Sequence, residues 1–191
     1  MDASPDPVTQ AAAYQAHLLG ALGDDDPAVA QAAAPAAIRA LVEASGSLLR
    51  SHPVPAEWSV LECIGHIVDA ELVSSGRYRW IVAHDGPDLV GYDQDRWVAR
   101  LRHGDDDPEE LVALFVALRA ANLALWARST DEERARIGFH RERGPESYDL
   151  TFRLIAGHDR VHLEQARRAL AAVAGRSRSS SYVSRPTART P

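Results

Sequence analysis

The chain has 191 residues, of which 46% are hydrophobic and 25% charged, and its formal net charge at pH 7 is -6. This composition is typical of one globular domain with tails and excludes a chain that is disordered throughout. The acidic balance argues against a nucleic-acid partner, because proteins that bind nucleic acid normally present a basic face to the phosphates.

The residue types exclude several kinds of chemistry. All 21 basic residues are arginine, which excludes a lysine Schiff base and the lysine of a phosphate-binding loop. Cys63 is the only cysteine, so we expect a packed thiol and no intramolecular disulfide. The acidic first residues do not resemble a signal peptide, and no apolar run approaches the ~18 residues of a membrane helix. We therefore expect a cytoplasmic protein without a membrane partner.

Helical patterns follow one another along the chain, and no strand-type alternation competes with them. A short helix is predicted from Val8 to Leu22. The segment 23–27 contains three aspartates, which indicate a helix end followed by an Asp-Pro helix start rather than a calcium site. The first helix of a bundle is predicted from Ala36 to Leu49, and Pro53 prevents its continuation.

The second bundle helix is predicted from Ser59 to about Ala83. Ser59 and Glu62 have the S-x-x-E spacing of a capping box. A loop over residues 86–97 separates this helix from the third, which begins at Asp107, a cap that a first-turn proline follows. Apolar residues at 3,4 spacing predict one buried face on the third helix, made of Leu111, Leu114, Phe115, Leu118, Ala121 and Leu125.

The fourth bundle helix follows a predicted loop at residues 138–144. It is predicted to run from about Glu146 or Ser147 to Ala174, with Gly175 as its stop signal. The fold class is therefore all-α, a four-helix bundle with an extra short N-terminal helix.

The same patterns divide the chain into three parts. Residues 1–34 are predicted to be an N-terminal helical extension, and residues 35–174 the four-helix bundle. Residues 175–191 are rich in Ser, Arg, Thr and Pro and are predicted to be a disordered tail.

The pattern that points to chemistry is a set of histidines. His158 and His162 are four residues apart on the fourth helix, so both imidazoles face one side and can reach one ion. His66 on the second helix provides a third ring. Burying three neutral imidazoles without partners is costly, whereas a metal satisfies one nitrogen of each. The sequence therefore predicts a metal site at these three residues, and the alternative is a set of core histidines in a metal-free protein.

Three histidine ligands leave a coordination position open, as catalytic sites do. Imidazole suits zinc, nickel, copper or iron, and the residues alone do not choose among these metals. A di-iron carboxylate bundle is excluded because the paired Glu-x-x-His motifs are absent. The HExxH motif of metalloproteases also fails, because Asp159 follows His158.

Three further residues are candidates for a catalytic role. Asp69 follows His66 by three residues and Gln165 follows His162 by three, so either can orient a ligand or a bound water. Ordinary hydrogen bonding on a helix surface is the alternative for both. His140 belongs to a predicted loop that can contact substrate, and the alternative is an exposed loop histidine.

Other polar and aromatic residues have structural interpretations. Glu62 can serve as a base, but the capping box explains it. Asp159 is expected to pair with a nearby arginine such as Arg160. Tyr92 and Trp97 either line the mouth of a pocket or mark packing. The histidines interpreted as surface residues are His17, His52, His84 and His103.

Three segments in the same order and at the same separation resemble the DinB/YfiT-like superfamily. They are residues Trp58–Glu71, Gly91–Trp97 and Gly157–Gln165, and the similarity covers approximately Ala36 to Leu170. The resemblance implies an up-down-down-up bundle whose three histidines hold nickel or zinc. It also implies that two copies of the chain can form a homodimer.

The family includes metal-dependent hydrolases and thiol-dependent transferases or isomerases. The expected function is therefore a reaction on a small-molecule substrate, in which one divalent metal activates a bound water or a thiol. The alternative is a non-catalytic protein that binds a metal or a small ligand on the same fold.

Overall fold

The computed structural model describes residues 5–183, with side chains described for residues 5–176. Most of this part of the chain is helical, and a small three-stranded sheet accompanies the helices. The helices are α1 Ala11–Leu22, α2 Pro27–Ser45, α3 Val60–Ala83, α4 Gln94–Leu101, α5 Pro108–Arg128, α6 Asp131–Ala135 and α7 Tyr148–Val183. The strands are β1 Asp88–Leu89, β2 Ile137–His140 and β3 Gly144–Ser147.

Four long helices form the bundle. Helix α2 packs on α5 and α7, and α3 also packs on α5 and α7, so each of α2 and α3 has the other two helices as its main neighbours. Helix α1 packs along α7, outside the bundle. These contacts confirm the predicted all-α class, the four-helix bundle and the extra short N-terminal helix.

The local signals for helix starts are confirmed. The Asp26 carboxylate caps α2 by accepting hydrogen bonds from Ala28 N and Val29 N. The capping box at the start of α3 is complete, because Ser59 Oγ accepts from Glu62 N while the Glu62 carboxylate accepts from Ser59 N. Such caps depend on residues only a few positions apart, which is why the sequence reveals them.

Helix α2 begins earlier than predicted. It starts at Pro27 instead of Ala36 and continues through Pro35. A proline inside a helix lacks the N–H that would bond to the carbonyl four residues before it. In α2 that carbonyl belongs to Gln31, and it accepts a hydrogen bond from Arg119 Nη1 at 2.9 Å instead. The arginine therefore satisfies the acceptor that Pro35 leaves free.

Two predicted loops contain regular structure. Part of the loop over residues 86–97 forms the start of α4, whose N-terminus Asp93 caps. The predicted loop at residues 138–144 contributes to a β2–β3 antiparallel pair, and β1 joins β2 in parallel. The sequence did not indicate these strands, because strands of two to four residues are too short to produce an alternating pattern.

The buried face of α5 differs from the predicted one. Leu114 is 44% exposed and Ala121 is exposed, although both were predicted to be buried. The residues that are buried are Val112, Phe115, Arg119 and Asn122. Apolar residues therefore lie on both faces of α5, and the 3,4 spacing selected a partly wrong set. By length and composition alone α5 is also apolar enough to span a membrane, but here it is a bundle helix that packs against α2 and α3.

Helix α7 continues to Val183, beyond the stop predicted at Gly175. The first part of the predicted disordered tail, residues 175–183, is therefore helical. The rest of that tail, residues 184–191, lies outside the described residues.

Arg119 connects all four bundle helices. Its side chain is 1% exposed and extends from α5. It donates two hydrogen bonds to the Glu71 carboxylate on α3, at 3.0 and 2.9 Å, and one to Asp159 Oδ2 on α7, at 2.7 Å. The bond to Gln31 O adds α2. Paired and fully hydrogen-bonded charges of this kind tolerate burial, whereas removing one partner leaves the others buried without compensation.

We predict that Arg119→Met lowers the free energy of unfolding by about 3–5 kcal/mol, because it leaves two buried carboxylates without their cation. Urea denaturation followed by circular dichroism measures this change. Arg128→Met on the exposed end of the same helix is the matched control, and it should change stability by less than about 0.5 kcal/mol. Equal losses in the two variants would contradict the role assigned to Arg119.

Candidate metal centre

The three predicted histidines converge inside the bundle. His66 extends from α3, while His158 and His162 lie one turn apart on α7, and all three are buried. One ring nitrogen from each lies within 4.8 Å of the others. His66 Nε2 and His158 Nε2 are 2.9 Å apart. Helix spacing brings the α7 pair together, and the packing of α3 on α7 adds the third ring.

Gln165 fixes the orientation of one of these rings. His162 Nδ1 lies 2.8 Å from Gln165 Oε1. Because an amide oxygen can only accept, a neutral His162 carries its proton on Nδ1 and has a lone pair on Nε2. That Nε2 atom is buried and has no hydrogen-bond partner. The predicted orienting contact of Gln165 is therefore present, and it leaves a nitrogen lone pair available for a ligand.

Burial keeps all three imidazoles neutral. It lowers the pKa of His66 and of His158 well below 6.5, and for both residues the neighbouring His162 adds to this effect. Burial also lowers the pKa of His162 to about 4, an effect that the hydrogen bond from His162 to Gln165 opposes. Neutral imidazole is the form that binds metal ions.

The geometry of the cluster fits a divalent transition metal. Two imidazole nitrogens that bind one zinc ion at 2.0–2.1 Å in a tetrahedral arrangement are about 3.3 Å apart. The separations in the cluster, from 2.9 Å between two Nε2 atoms to at most 4.8 Å overall, bracket this value. The Nδ1 atoms of His66 and His158 are also buried without a partner, so only His162 has its second nitrogen held by another side chain.

A cavity of about 440 Å³ opens on the histidines. His66 and His158 line one end of it, and helices α1, α3 and α7 provide much of its wall. Trp58 packs beside the cluster, with its ring centroid 5.1 Å from that of His66 and 6.1 Å from that of His162. A cavity of this size suits a small-molecule ligand.

Helix α1 closes one side of the cavity through a close backbone contact. At Gly157 on α7, an added Cβ atom would lie 1.9 Å from Leu18 O on α1. Only glycine permits this approach, which lies one residue before His158. Tyr14 and Leu18 of α1 then line the cavity.

His140 lines the cavity and is 4% exposed, so its interpretation as an exposed loop residue was wrong. It ends strand β2, where it lies 3.2 Å from Arg77 Nη2 and 3.0 Å from Glu142 Oε2. Burial lowers the pKa of His140 to about 4, and the charges of Arg143 and Arg77 contribute. Nothing in the residues around His140 indicates this burial, because it depends on the pairing of β2 with β1 and β3.

Asp69 does not line the cavity or contact the three histidines within the described part of the chain. Its carboxylate lies 2.7 Å from His103 Nε2, and Asp106 lies 2.6 Å from Nδ1 of the same ring. His103 is 6% exposed, so its interpretation as a surface residue was wrong. Gly65 makes room for this ring, because a Cβ atom there would lie 2.5 Å from His103 Cγ.

The structure also shows the contacts of the other residues singled out in the sequence. The prediction that Cys63 is a packed thiol is confirmed, and burial raises its pKa to about 12. Glu62 completes the capping box. Asp159 pairs with Arg119 and not with Arg160, which binds Asp25 instead. Tyr92 lines the cavity, and Trp97 packs against the Tyr92 ring at 4.5 Å.

Two polar residues that α3 contributes to the cavity wall were not predicted from the sequence. Ser74 and Arg77 lie on α3 at positions that continue the spacing from His66 through Ala70. This 4,4,3 spacing places all four side chains on one face of the helix. This spacing is visible in the sequence. The sequence does not indicate that Arg77 is buried, because Arg79, two residues later, is exposed.

Comparison with known proteins agrees with this architecture. The family model of the DinB superfamily matches residues 30–166. Among solved structures, YfiT from Bacillus subtilis, described as a probable metal-dependent hydrolase with an unusual four-helix bundle topology, is similar with a TM-score of 0.71 and 21% sequence identity. The match covers 78% of this chain and 86% of YfiT. No match was found among curated proteins.

The His103 contacts predict a pH dependence of stability. The hydrogen bond to Asp69 raises the pKa of His103 above 6.5. Its stabilising contribution is thus present below pH 6.5 and is lost as the pH rises through the raised pKa. We expect the free energy of unfolding of metal-free protein to fall as the pH rises above 6.5.

His103→Gln should remove this fall, while His84→Gln at an exposed position should retain it. The histidines with lowered pKa values act in the opposite direction, because stability is lost as the pH falls below 6.5. The two effects therefore occupy different pH ranges in a urea titration series. If the free energy of unfolding of His103→Gln still falls above pH 6.5 as in wild type, the pH dependence does not come from His103.

Proposed function

Because this chain belongs to the DinB superfamily, we propose that it binds one divalent transition metal and uses it to act on a small molecule. The observation that carries this proposal is the convergence of His66, His158 and His162 as buried, neutral imidazoles within 4.8 Å of one another. Metal binding explains why the interior of the bundle retains three polar rings at that point.

The donor set is compatible with nickel or zinc, the two metals that the family resemblance implies. Neutral imidazole nitrogen suits both metals, and the thiolate and carboxylate ligands that would favour other choices do not join the cluster within residues 5–176. When bound, such a metal supplies Lewis-acid activation of a water or a thiol near neutral pH. The chain provides three nitrogen donors, the orientation of His162 through Gln165, and walls that shield the site from bulk solvent.

A thiol is the nucleophile that the surroundings favour. Hydrolysis by an activated water usually needs a carboxylate or histidine base close to the reacting atoms. Asp69 and Glu62, the carboxylates nearest in sequence to His66, bond to His103 and to the α3 cap instead. A thiol ionises more readily than water and depends less on such a base. We therefore propose thiol transfer ahead of hydrolysis, which is the activity ascribed to YfiT.

The engagement of Asp69 and Glu62 in other contacts also supports one alternative. A site whose nearby carboxylates are occupied elsewhere also suits a protein that binds a metal or a small ligand without converting it. The cavity of about 440 Å³ serves either function. We propose a cytoplasmic protein with a small-molecule partner in both cases.

We predict that wild-type protein purified after expression with nickel and zinc available contains about one equivalent of one of these metals. His158→Ala should lose it, because two remaining imidazoles bind a divalent ion far more weakly. Inductively coupled plasma mass spectrometry measures the content. His84→Ala, an exposed histidine, is the matched control and should retain the metal. Empty wild-type protein after reconstitution would rule out the metal site.

Thiol transfer is tested with N-acetylcysteine and the electrophile 1-chloro-2,4-dinitrobenzene. The metal-loaded protein should accelerate their conjugation, and chelation of the metal should abolish the acceleration. Hydrolysis of p-nitrophenyl acetate without thiol is the parallel assay. Metal-dependent ester hydrolysis without conjugation would reverse the order of the two proposed reactions. Neither reaction in a protein that holds its metal would favour the non-catalytic alternative.

A further inference from the structure

One face of α3 connects the histidines to a polar group at the far end of the cavity. His66, Ala70, Ser74 and Arg77 follow one another at 4,4,3 spacing, and all four line the cavity. Arg77 follows His66 by eleven positions, which corresponds to about 16 Å along the helix axis. The apolar residues Leu18, Leu154 and Ile155 also line the cavity, together with the polar Gln15 and Thr151.

Arg77 is a buried cation without an anionic partner in the described residues. Its side chain is 5% exposed, and no carboxylate forms an ion pair with it in that part of the chain. Its hydrogen bonds go from Nη2 to Val90 O at 2.5 Å and to His140 Nε2 at 3.2 Å, while Nε has no partner. A buried guanidinium remains protonated, so the positive charge stays at the cavity wall.

Arg119, also buried, has the anionic partners that Arg77 lacks within residues 5–176. Arg119 has the carboxylates of Glu71 and Asp159 within 3.0 Å and donates to both. Arg143, which also lines the cavity, is paired with Glu146. The unpaired state of Arg77 is therefore an exception, and its location on the cavity wall indicates that the missing anion arrives with a ligand.

Ser74 provides a second, independent indication. Its hydroxyl oxygen is buried, lines the cavity and has no hydrogen-bond partner. It lies one helical turn before Arg77, on the same face of α3. A hydroxyl and a guanidinium side by side offer donors to the two oxygens of one carboxylate.

His140 holds Arg77 toward this position. Because a guanidinium only donates, the contact between Arg77 Nη2 and His140 Nε2 requires a lone pair on that nitrogen. The Nδ1 atom of the same ring lies 3.0 Å from Glu142 Oε2 and 3.3 Å from Glu142 N, so Glu142 holds the ring in place. The neutral ring supports Arg77 without neutralising it.

We propose that Arg77 and Ser74 bind the carboxylate of a small organic acid, whose apolar middle lies along Ala70 and Leu154. The other end of the molecule then points toward the histidines, and this orientation rests on the proposed function. A carboxylate carries the single negative charge that matches the one unpaired cation, whereas a phosphate dianion exceeds it. Four carboxylates also line the cavity. Asp6 and Asp93 accept hydrogen bonds from backbone N–H groups, Glu142 lies 3.0 Å from His140 Nδ1, and Asp95 lies in the first turn of α4.

The test uses the full-length protein as purified and compares hexanoate with hexanamide, which has the same shape without the charge. Isothermal titration calorimetry measures the dissociation constants. Hexanoate should bind at least about tenfold more tightly than hexanamide, because only the carboxylate pairs with Arg77. This comparison needs no variant and does not depend on how any substitution affects folding.

Variants then test whether Arg77 is the cation that binds the carboxylate. Arg77→Met should weaken hexanoate binding at least about tenfold, and Ser74→Ala should weaken it a few-fold. Arg79→Met, on the exposed side of the same helix, removes an equal charge and should leave binding unchanged. Metal content measured in each variant separates this proposal from the metal site. Wild-type protein from which the metal has been removed by chelation and dialysis should retain hexanoate binding.

Four results would overturn the proposal. They are the failure of hexanoate to bind wild type, equal binding of hexanoate and hexanamide, tighter binding of inorganic phosphate than of hexanoate, and unchanged hexanoate binding in Arg77→Met. A fifth result would also overturn it. Loss of hexanoate binding when chelation removes the metal from wild type would place the carboxylate on the metal, while leaving the metal site itself supported.

Discussion

The architecture depends on one guanidinium at the centre of the bundle. Arg119 bonds to Glu71 on α3, Asp159 on α7 and a main-chain carbonyl on α2, so it fixes how these helices are rotated about their own axes. Asp159 is the residue after His158, and Glu71 follows His66 by five. Fixing the carboxylates therefore fixes the directions of the imidazoles. An apolar core of the same size would stabilise the bundle without specifying the rotation of the metal-binding helices as tightly.

The interior separates polar groups that stabilise the fold from polar groups that await a partner. Arg119, Glu71 and Asp159 satisfy one another, and Asp69 with His103 does the same beneath the short turn before α5. The three clustered histidines, Ser74 and Arg77 instead retain buried atoms without a hydrogen bond. Unsatisfied polar groups in a folded protein concentrate where ligands bind. His66, His158, Ser74 and Arg77 line one cavity, whereas the buried unpaired atoms of Gln31, Tyr78, Arg134 and Tyr148 lie elsewhere. The four groups on its wall point to that cavity as the functional part of the molecule.

Sequence reasoning succeeded where the relevant residues are close together in the chain. The α7 histidines are four residues apart, and the Ser59–Glu62 cap spans three. It failed where burial depends on distant partners. The contact between Arg119 and Glu71 joins residues 48 positions apart, and that between Arg77 and His140 joins residues 63 apart. His103 and His140 appeared to be surface residues because nothing in their neighbourhoods reveals the elements that cover them. The α5 face was assigned partly wrongly because its outward residues are also apolar.

The backbone contact between Gly157 and Leu18 joins a segment inside the span matched by the family model to a segment outside it. The family model begins at residue 30, so α1 lies outside the matched span, whereas the histidines lie within it. Nevertheless α1 supplies Tyr14 and Leu18 to the cavity wall. Part of the cavity wall is thus encoded outside the segment that carries the histidines. The N-terminal segment can accumulate substitutions that reshape the cavity and change which molecules enter it, while the histidine cluster and the bundle that supports it stay intact.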